Sequence, residues 1–364
     1  MATFVLTGAG GFLGFHVRAA LQEHGHEVRS FAVGDGHDAA EAARLVAGAD
    51  HLIHIAGVNR GEDEQVARGN RVFAQQVAQA LRAAENPPAR VVFANSTHAA
   101  TDTVYGEAKR EAGRIVSDAA ETVGAHMQDI LLPNLFGEFG RPFYNSVTAT
   151  FCHLIATGQA PEVTDDKELT LLHAQDAADL LIGAVDPAGM GELTVQETVS
   201  GLRDRLQSMA ETYAKTEFPD LATRFDRDLF NTYRSFLYPE GLPLPITRHA
   251  DQRGSFFEIV RSRGGTGQTS FSTTEPGITR GDHYHRRKVE RFTVLAGEAE
   301  IALRTLGTDE KHVFRVSGDE PQSVDMPTFV SHNITNIGSG TLYTAFWTND
   351  IFDPTNPDTI PEVV

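Results

Sequence analysis

Residues 281–290 read GDHYHRRKVE, and in this stretch His283 and His285 alternate as they would along one face of a β-strand. Glu290 follows at odd spacing and would point away if the strand ran on. The polar stretch 286–288 must therefore bend the chain before the carboxylate can join the two rings. His332, in PTFVSHNITN, is placed to arrive from a neighbouring strand. Three imidazoles and one carboxylate make a donor set for Zn²⁺ or a similar divalent ion, which would polarise a carbonyl as a Lewis acid. A second group of chemistry-bearing residues lies nearer the start, where YGEAKRE places Tyr105 and Lys109 at i and i+4 on one helical face. A tyrosine with a free pKa of about 10 becomes a usable acid when a nearby ammonium stabilises its phenolate. Ser96 and Thr97 end the apolar run RVVFANST, and either hydroxyl can bond a substrate carbonyl.

A third pattern is TGAGGFLG, Thr7 to Gly14, between an apolar run and a helical one. Gly8 permits a tight turn, Gly11 lets the backbone approach a pyrophosphate, and Gly14 allows close packing of helix on strand. Gly10, Phe12 and Leu13 complete this dinucleotide turn. Asp35 is the candidate for a bond to the ribose 2′-hydroxyl of NAD, while Arg29 could meet the 2′-phosphate of NADP. The residues leave the two cofactors open.

These residues need elements to hold them. The first half alternates short apolar runs with helical patterns: TFVLTG, LGFHVRAALQEHG, EVRSFAV, HLIHIAG, NRVFAQQVAQALRAA and RVVFANS. That alternation predicts an α/β fold, a doubly wound parallel sheet with helices on both faces. A charged helical stretch over about 200–235 leads into YPEGLPLPITRHADQRG, whose prolines and glycines place a boundary near residue 245. Beyond it, RFTVLAG, EAEIALRTL, KHVFRVSG and TLYTAFWT carry a period of two between polar turns, which predicts an all-β barrel or sandwich. The expected domains are 1–243 and 247–364.

The chain of 364 residues has a formal net charge of −18, which disfavours broad binding to nucleic acid or an anionic membrane and favours a small-molecule partner. Its single cysteine, Cys152, cannot form an internal disulfide. The sequence enters an apolar strand without a charged leader, and no uncharged apolar run approaches the roughly 18–20 residues that span a bilayer. The expectation is a cytoplasmic protein.

The motif Thr7–Gly14 and the Tyr105/Lys109 pair resemble the extended short-chain dehydrogenase/reductase superfamily, which acts mostly on nucleotide sugars. HIAGVNR, with Ala56 and Gly57, resembles its turn beside the cofactor, and LPNLFG, with Pro133, its substrate-side turn. Only nine positions separate Ser96 from Tyr105, fewer than is usual there, so Ser96 and Thr97 remain alternatives for the third catalytic group. The spacing in GITRGDHYHRRKVERFTVLAG matches the first cupin motif, and PTFVSHNITN the second, with Phe329 where glycine is usual.

A reductase joined to a metal cupin, a jelly-roll barrel, resembles the bifunctional capsular-polysaccharide enzymes that form UDP-2-acetamido-2,6-dideoxy-L-talose from a 4-keto-6-deoxy UDP-sugar. LPNLFG, YNSVTATFC, DQRGSFFEI, PGITRGDHYH, VSGD and NPDT follow that family in order and spacing. The resemblance implies a UDP-sugar substrate, C3 epimerisation in the cupin, C4 reduction by NADPH, and a homodimer. Chemistry links the two sites, because a C4 ketone both acidifies the C3 proton and accepts hydride. Lys288, Tyr284 and His249 are the candidates for the epimerase base. Two other readings compete: a nucleotide-sugar reductase or epimerase with a purely structural cupin, and a non-catalytic cofactor- or sugar-sensing regulator.

Overall fold

Five short apolar runs near the start form strands: β1 (Thr3–Thr7), β2 (Glu27–Ser30), β3 (His51–His54), β4 (Arg90–Ser96) and β5 (His126–Leu132). All pair in parallel, in the order β2-β1-β3-β4-β5. Between them run α1 (Phe12–Glu23), α2 (Ala39–Val46), α3 (Asp63–Ala83) and α4 (Val104–Thr122). Alternate residues of the strands feed opposite cores. Val5, Leu52, Val91 and Phe93 pack on one face with Val77, Leu81, Ala112 and Val116. Phe4, Leu6, Ile53 and Val92 pack on the other with Val17, Leu21, Leu180 and Leu181. A parallel sheet covered on both faces is the expected doubly wound, Rossmann-like arrangement. The computed structural model describes residues 1–252 and 254–364; Arg253, inside DQRGSFFEI, lies outside the described residues.

A mixed sheet follows, built from β6 (Asn134–Phe136), β7 (Glu168–His173) and β8 (Val195–Thr198), together with α5 (Val147–Ala156), α6 (Ala174–Ile182) and α7 (Met190–Leu193). Next come α8 (Val199–Tyr213), α9 (Arg224–Arg234), β9 (Leu244–Pro245) and the hairpin β10 (His249–Asp251) and β11 (Gly254–Phe256). The rest is β structure: β12 (Gln268–Thr274), β13 (Thr279–Tyr284), β14 (Glu290–Ala296), β15 (Glu298–Thr305), β16 (Lys311–Ser317), β17 (Gln322–Met326), β18 (Val330–Asn336), β19 (Leu342–Thr348) and β20 (Ile360–Pro361). They form two antiparallel sheets, β12-β19-β14-β17-β9 and β16-β15-β18-β13-β20. Phe292, Val294 and Val324 from the first share a core with Ile301, Leu303 and Ile334 from the second.

The chain divides into two compact units that do not follow chain order. One comprises Met1–Phe136, Gly140–Thr150 and Lys167–Thr198; the other comprises Gly137–Phe139, Phe151–Asp166 and Val199–Val364. Helices α8 and α9 thus belong with the β-rich unit. Tyr213 of α8 donates to the Asp325 carboxylate at 2.7 Å, and Arg291 of β14 grips the same carboxylate through two bonds of 2.6 and 3.0 Å. Phe218, after α8, stacks on Trp347 of β19. Among the described residues, no helix is long and apolar enough to cross a membrane.

Candidate functional site

In the first unit the strand order reverses direction of growth at β1 and β3, and their carboxyl ends open the crevice where such sheets bind ligands. Thr7 ties the two ends together. Its hydroxyl accepts from Ile55 N at 3.3 Å and Ala56 N at 3.4 Å and meets His54 Nδ1 at 2.7 Å. Gly8 adopts φ +74°, and a Cβ there would lie 2.7 Å from Ala56 N. A Cβ on Gly14 would come within 2.1 Å of Gly8 O, so only glycine lets α1 start this close to β1. Gly10 faces open space, no side chain caps the start of α1, and its first turn carries no acidic residue. Unpaired N–H groups at a helix start beside open backbone fit a pyrophosphate. Phe12 begins α1 and Leu13 packs against the core below. Asn70 of α3 fixes the Ala56–Gly57 turn by bonding both the N–H and C=O of Val58, at 3.2 and 2.7 Å.

The cofactor-specificity candidates are also placed. Arg29 pairs with Glu27 at 2.9 Å, and Asp35 lies exposed in a short helical turn. Gln76 holds that turn by bonding the Gly34 N–H at 2.7 Å and C=O at 3.2 Å.

Tyr105 and Lys109 occupy consecutive turns of α4, whose start is capped by Thr103 Oγ1 accepting from Gly106 N at 3.1 Å. Ser96, the last residue of β4, acts electrostatically on the Tyr105 phenol, whereas Thr97 is exposed at the head of the next turn. Burial raises the phenol pKa above its ordinary value and Ser96 opposes this, so Tyr105 carries its proton at neutral pH. Lys109 is 4% exposed; its Nζ donates to Ala94 O at 2.7 Å and lies 4.1 Å over the Phe93 ring. Burial pushes its pKa down to about 7 against the pull of Asp129. Asp129 in turn accepts from Asn95 at 3.0 Å, and Asn95 accepts from Ser96 N at 2.8 Å. Burial and the nearby Lys109 push the His54 pKa down to about 3. His54, Asn70, Asn95 and Asp129 carry no spacing signal, because their partners lie on other strands and helices.

In the second unit His283, His285, Glu290 and His332 converge, with one ligand atom from each within 4.8 Å of all the others. A β-bulge at Gly281–His283 shifts the register so that His283 faces His332 across β13 and β18. The stretch 286–288 bends as anticipated, and Glu290 enters as the first residue of β14 with Oε2 3.0 Å from His285 Nε2. His285 Nδ1 meets Asp358 O at 2.5 Å and His332 Nδ1 meets Val330 O at 3.2 Å. Backbone carbonyls on Nδ1 of His285 and His332 turn each Nε2 lone pair inward. His332 Nε2 lies buried 3.3 Å from Glu290 Oε2 without the alignment of a hydrogen bond. An inward-facing buried nitrogen with no aligned donor or acceptor, among imidazoles and a carboxylate, fits a divalent cation. Burial lowers the His283 pKa to about 3, helped by the two other rings. Burial acts the same way on His285, but the Glu290 carboxylate outweighs it and the net shift is upward.

Of the base candidates, Tyr284 points to the opposite face of β13 from His283 and His285 and stacks on Phe329. Lys288 reaches Thr359 Oγ1 at 3.4 Å, and His249 is exposed in the β10–β11 hairpin. Phe329 adopts φ +60°, the left-handed conformation that explains why glycine is usual there.

A Rossmann-like crevice with Tyr105 and Lys109 on the helix beside it defines an NAD(P)-dependent oxidoreductase or epimerase, here carrying a second, β-rich unit with a metal-type donor cluster. Residues 4–191 match the NAD dependent epimerase/dehydratase family, and residues 249–360 match the polysaccharide biosynthesis C-terminal domain. The UDP-2-acetamido-2,6-beta-L-arabino-hexul-4-ose reductase of Pseudomonas aeruginosa is 31% identical over 98% of this chain and 97% of its own. The capsular polysaccharide assembling protein CapF of Staphylococcus aureus is 31% identical, with a TM-score of 0.62 over 100% of both chains. The spore coat polysaccharide biosynthesis protein SpsL of Bacillus subtilis is 29% identical over 31% of this chain and 81% of its own. The chain belongs to the NAD-dependent epimerase/dehydratase family and, over its whole length, to the CapF-like bifunctional reductase/epimerases.

Proposed function

We propose that the chain acts on a UDP-4-keto-6-deoxy-HexNAc, epimerising C3 in segment 247–364 and reducing the C4 ketone with NADPH in segment 1–243. The product is a UDP-6-deoxy-talosamine-type precursor of capsular polysaccharide or O-antigen. The observation that carries this reading is the convergence of His283, His285, Glu290 and His332 in a chain that also holds the Ser96–Tyr105 pair beside an open glycine turn. The two facing sheets of the β unit support a cupin jelly roll, with Phe329 keeping the backbone of the glycine it replaces. The Pseudomonas aeruginosa relative is named as the reductase of a UDP-hexul-4-ose, a ketone of the required kind.

Zn²⁺ held by the four donors would supply Lewis acidity at the C4 ketone, which makes the C3 proton removable. The three rings would offer imidazole nitrogens to the ion, and the Glu290 carboxylate would balance its charge. In the reductase unit NADPH would supply the hydride. Thr7, Gly8, Gly10, Gly11 and Gly14, with the first turn of α1 at Phe12 and Leu13, bind and orient its pyrophosphate. Ala56 and Gly57 close the same crevice from β3, and Pro133 follows β5 at the same carboxyl edge of the sheet. Tyr105 donates its retained proton to the C4 oxygen, and Ser96 rather than Thr97 is the third group, because Ser96 acts on the phenol while Thr97 is exposed on the next turn. Lys109, buried one turn further along α4, is the residue whose ammonium would lower the cost of the phenolate left behind. Two further parts of the reading have separate grounds: a homodimer rests on the resemblance, and a cytoplasmic location on a single cysteine that needs no oxidising compartment.

The test is turnover of a UDP-4-keto-6-deoxy-HexNAc with NADPH in deuterated water, with the product assigned by NMR. The expected product carries deuterium at an inverted C3 and is reduced at C4. Reduction with C3 unchanged and free of deuterium would make the β segment a structural module. A lower KM for NADH than for NADPH would overturn the choice of cofactor.

A further inference from the structure

The metal-type cluster is assembled from three separate strands, yet two of its four members depend on one residue outside it. Asp358 is 6% exposed and adopts φ +43°, a backbone conformation that a residue with a side chain holds only under constraint. Its carbonyl oxygen meets His285 Nδ1 at 2.5 Å. Its carboxylate accepts three successive backbone N–H groups, from Arg286 at 3.0 Å, Arg287 at 2.9 Å and Lys288 at 2.8 Å. The Arg287 guanidinium lies 3.3 Å from the same carboxylate. Consecutive N–H groups aimed at one point form a concave anion site, and here the chain fills that site with its own carboxylate.

This arrangement does two things for the cluster. The carbonyl fixes the His285 ring so that Nε2 faces inward. The carboxylate folds 286–288 into the turn that returns Glu290 to the face it would otherwise leave. The segment is anchored on either side of this work. Ile360 and Pro361 pair with Tyr284 and His283, Glu362 N donates to Asp282 O at 3.0 Å, and Val364 N donates to Asp282 Oδ1 at 3.3 Å. Those last two bonds hold the bulged residue that brings His283 opposite His332.

We infer that Asp358 is a positioning residue for the metal cluster, setting the His285 ring with its main chain and the approach of Glu290 with its side chain. The inference rests on the reading of the cluster as a cation site. It concerns the full chain, and it separates cation affinity from fold stability.

The experiment compares the wild-type chain with Asp358→Ala, Asp358→Asn and the control Asp353→Ala. Asp353 lies in the same segment, but its bonds go to its own neighbours Thr355 and Asn356. Affinity for Zn²⁺ and Co²⁺ is measured by competition with a chromophoric chelator, and melting is followed with and without metal. Asp358→Ala is expected to weaken metal binding by about 10–100-fold, the usual cost of losing an outer support of a ligand. The increment in Tm that metal confers should shrink with it, and the Co²⁺ absorption spectrum should change. Asp358→Asn, which keeps one acceptor oxygen and the main-chain carbonyl, should fall between, and it carries the test if the alanine variant does not fold. Asp353→Ala should match the wild type. Wild-type affinity in both Asp358 variants, or a fall in Tm of equal size with and without metal, would overturn the inference alone. A wild-type chain that takes up neither ion would overturn the cation reading and this inference together.

Discussion

The reductase crevice and the histidine cluster are built on opposite plans. In the crevice the ligand-facing surface is main chain, and its shape follows from what is missing: no Cβ at Gly8 or Gly14, and no side-chain cap on α1. In the cluster the working atoms are all side chains, and their placement depends on a bulge, a turn and a distant carboxylate. The first plan is local and tolerates little substitution at a few glycines. The second spreads its requirements over 282–290, 330–332 and 358–364, so it can be weakened by degrees.

The sharpest way to break this contrast is His285→Ala. It should take the chain from stoichiometric metal to essentially none by elemental analysis and end deuterium exchange at C3. NADPH oxidation with the unepimerised ketone should continue, because the crevice has its own acid. Retention of C3 exchange after metal loss would mean that the cluster does not carry the epimerisation. Next in size is Tyr105→Phe, which removes the proton donor and leaves the glycine turn intact. NADPH oxidation should fall by about 10²-fold or more, while the Kd for NADPH, read by fluorescence, stays at the wild-type value. Near-normal turnover would refute the role of the phenol.

Acid gives a smaller test that separates the units. His54 takes up its proton at a pKa of about 3 folded and at the ordinary 6.5 unfolded. The unfolded chain therefore binds more protons between those values, and stability is lost as pH falls from 6.5 towards 3. In the metal-free cluster the downward shift of His283 and the upward shift of His285 act on stability with opposite signs. Hydrogen exchange of chelator-treated protein at pH 7 and pH 5 should show β1 and β3 losing more protection than β14 and β19. Equal loss in both would remove the distinction. The smallest effect belongs to Thr103→Ala, which takes away the α4 cap beneath Tyr105. It should cost about 1 kcal/mol of stability by denaturant unfolding and leave NADPH affinity unchanged.

What could be read from residues alone follows the same division. TGAGGFLG states its strand, turn and helix in eight consecutive residues, and Tyr105 and Lys109 declare a shared helix by spacing. The cluster was legible as a donor set, and the need for a bend at 286–288 followed from the parity of Glu290. The bulge that pairs His283 with His332 was not legible, since Asp282 at φ +58° looks in sequence like any strand residue. Asp358 stood in the quoted NPDT, yet nothing in that tetrapeptide says that 70 residues upstream three N–H groups need an acceptor. Ser96 and Thr97 could not be told apart in the sequence, because both hydroxyls end the same apolar run; the fold ends β4 at Ser96 and leaves Thr97 exposed on the next turn. Phe329 shows how a motif can lose its glycine and keep the backbone. The left-handed conformation costs a residue with a Cβ roughly 1–2 kcal/mol, and a fully buried ring offsets that cost.

The division into units that ignores chain order has a consequence in time. Helices α8 and α9 are synthesised before β17 and β19, so Tyr213, Phe218 and Arg234, which meet Asp325, Trp347 and the Met326 carbonyl in the finished chain, must wait. At about 5–20 residues per second, the strands that cover them emerge over roughly 6–24 s. Through that interval the nascent chain presents an amphipathic helix pair with no partner, a transient target for chaperones. A chain halted near residue 246 would be fixed in that state, so a gene cut at the 243/247 boundary yields an N-terminal half with two orphaned helices.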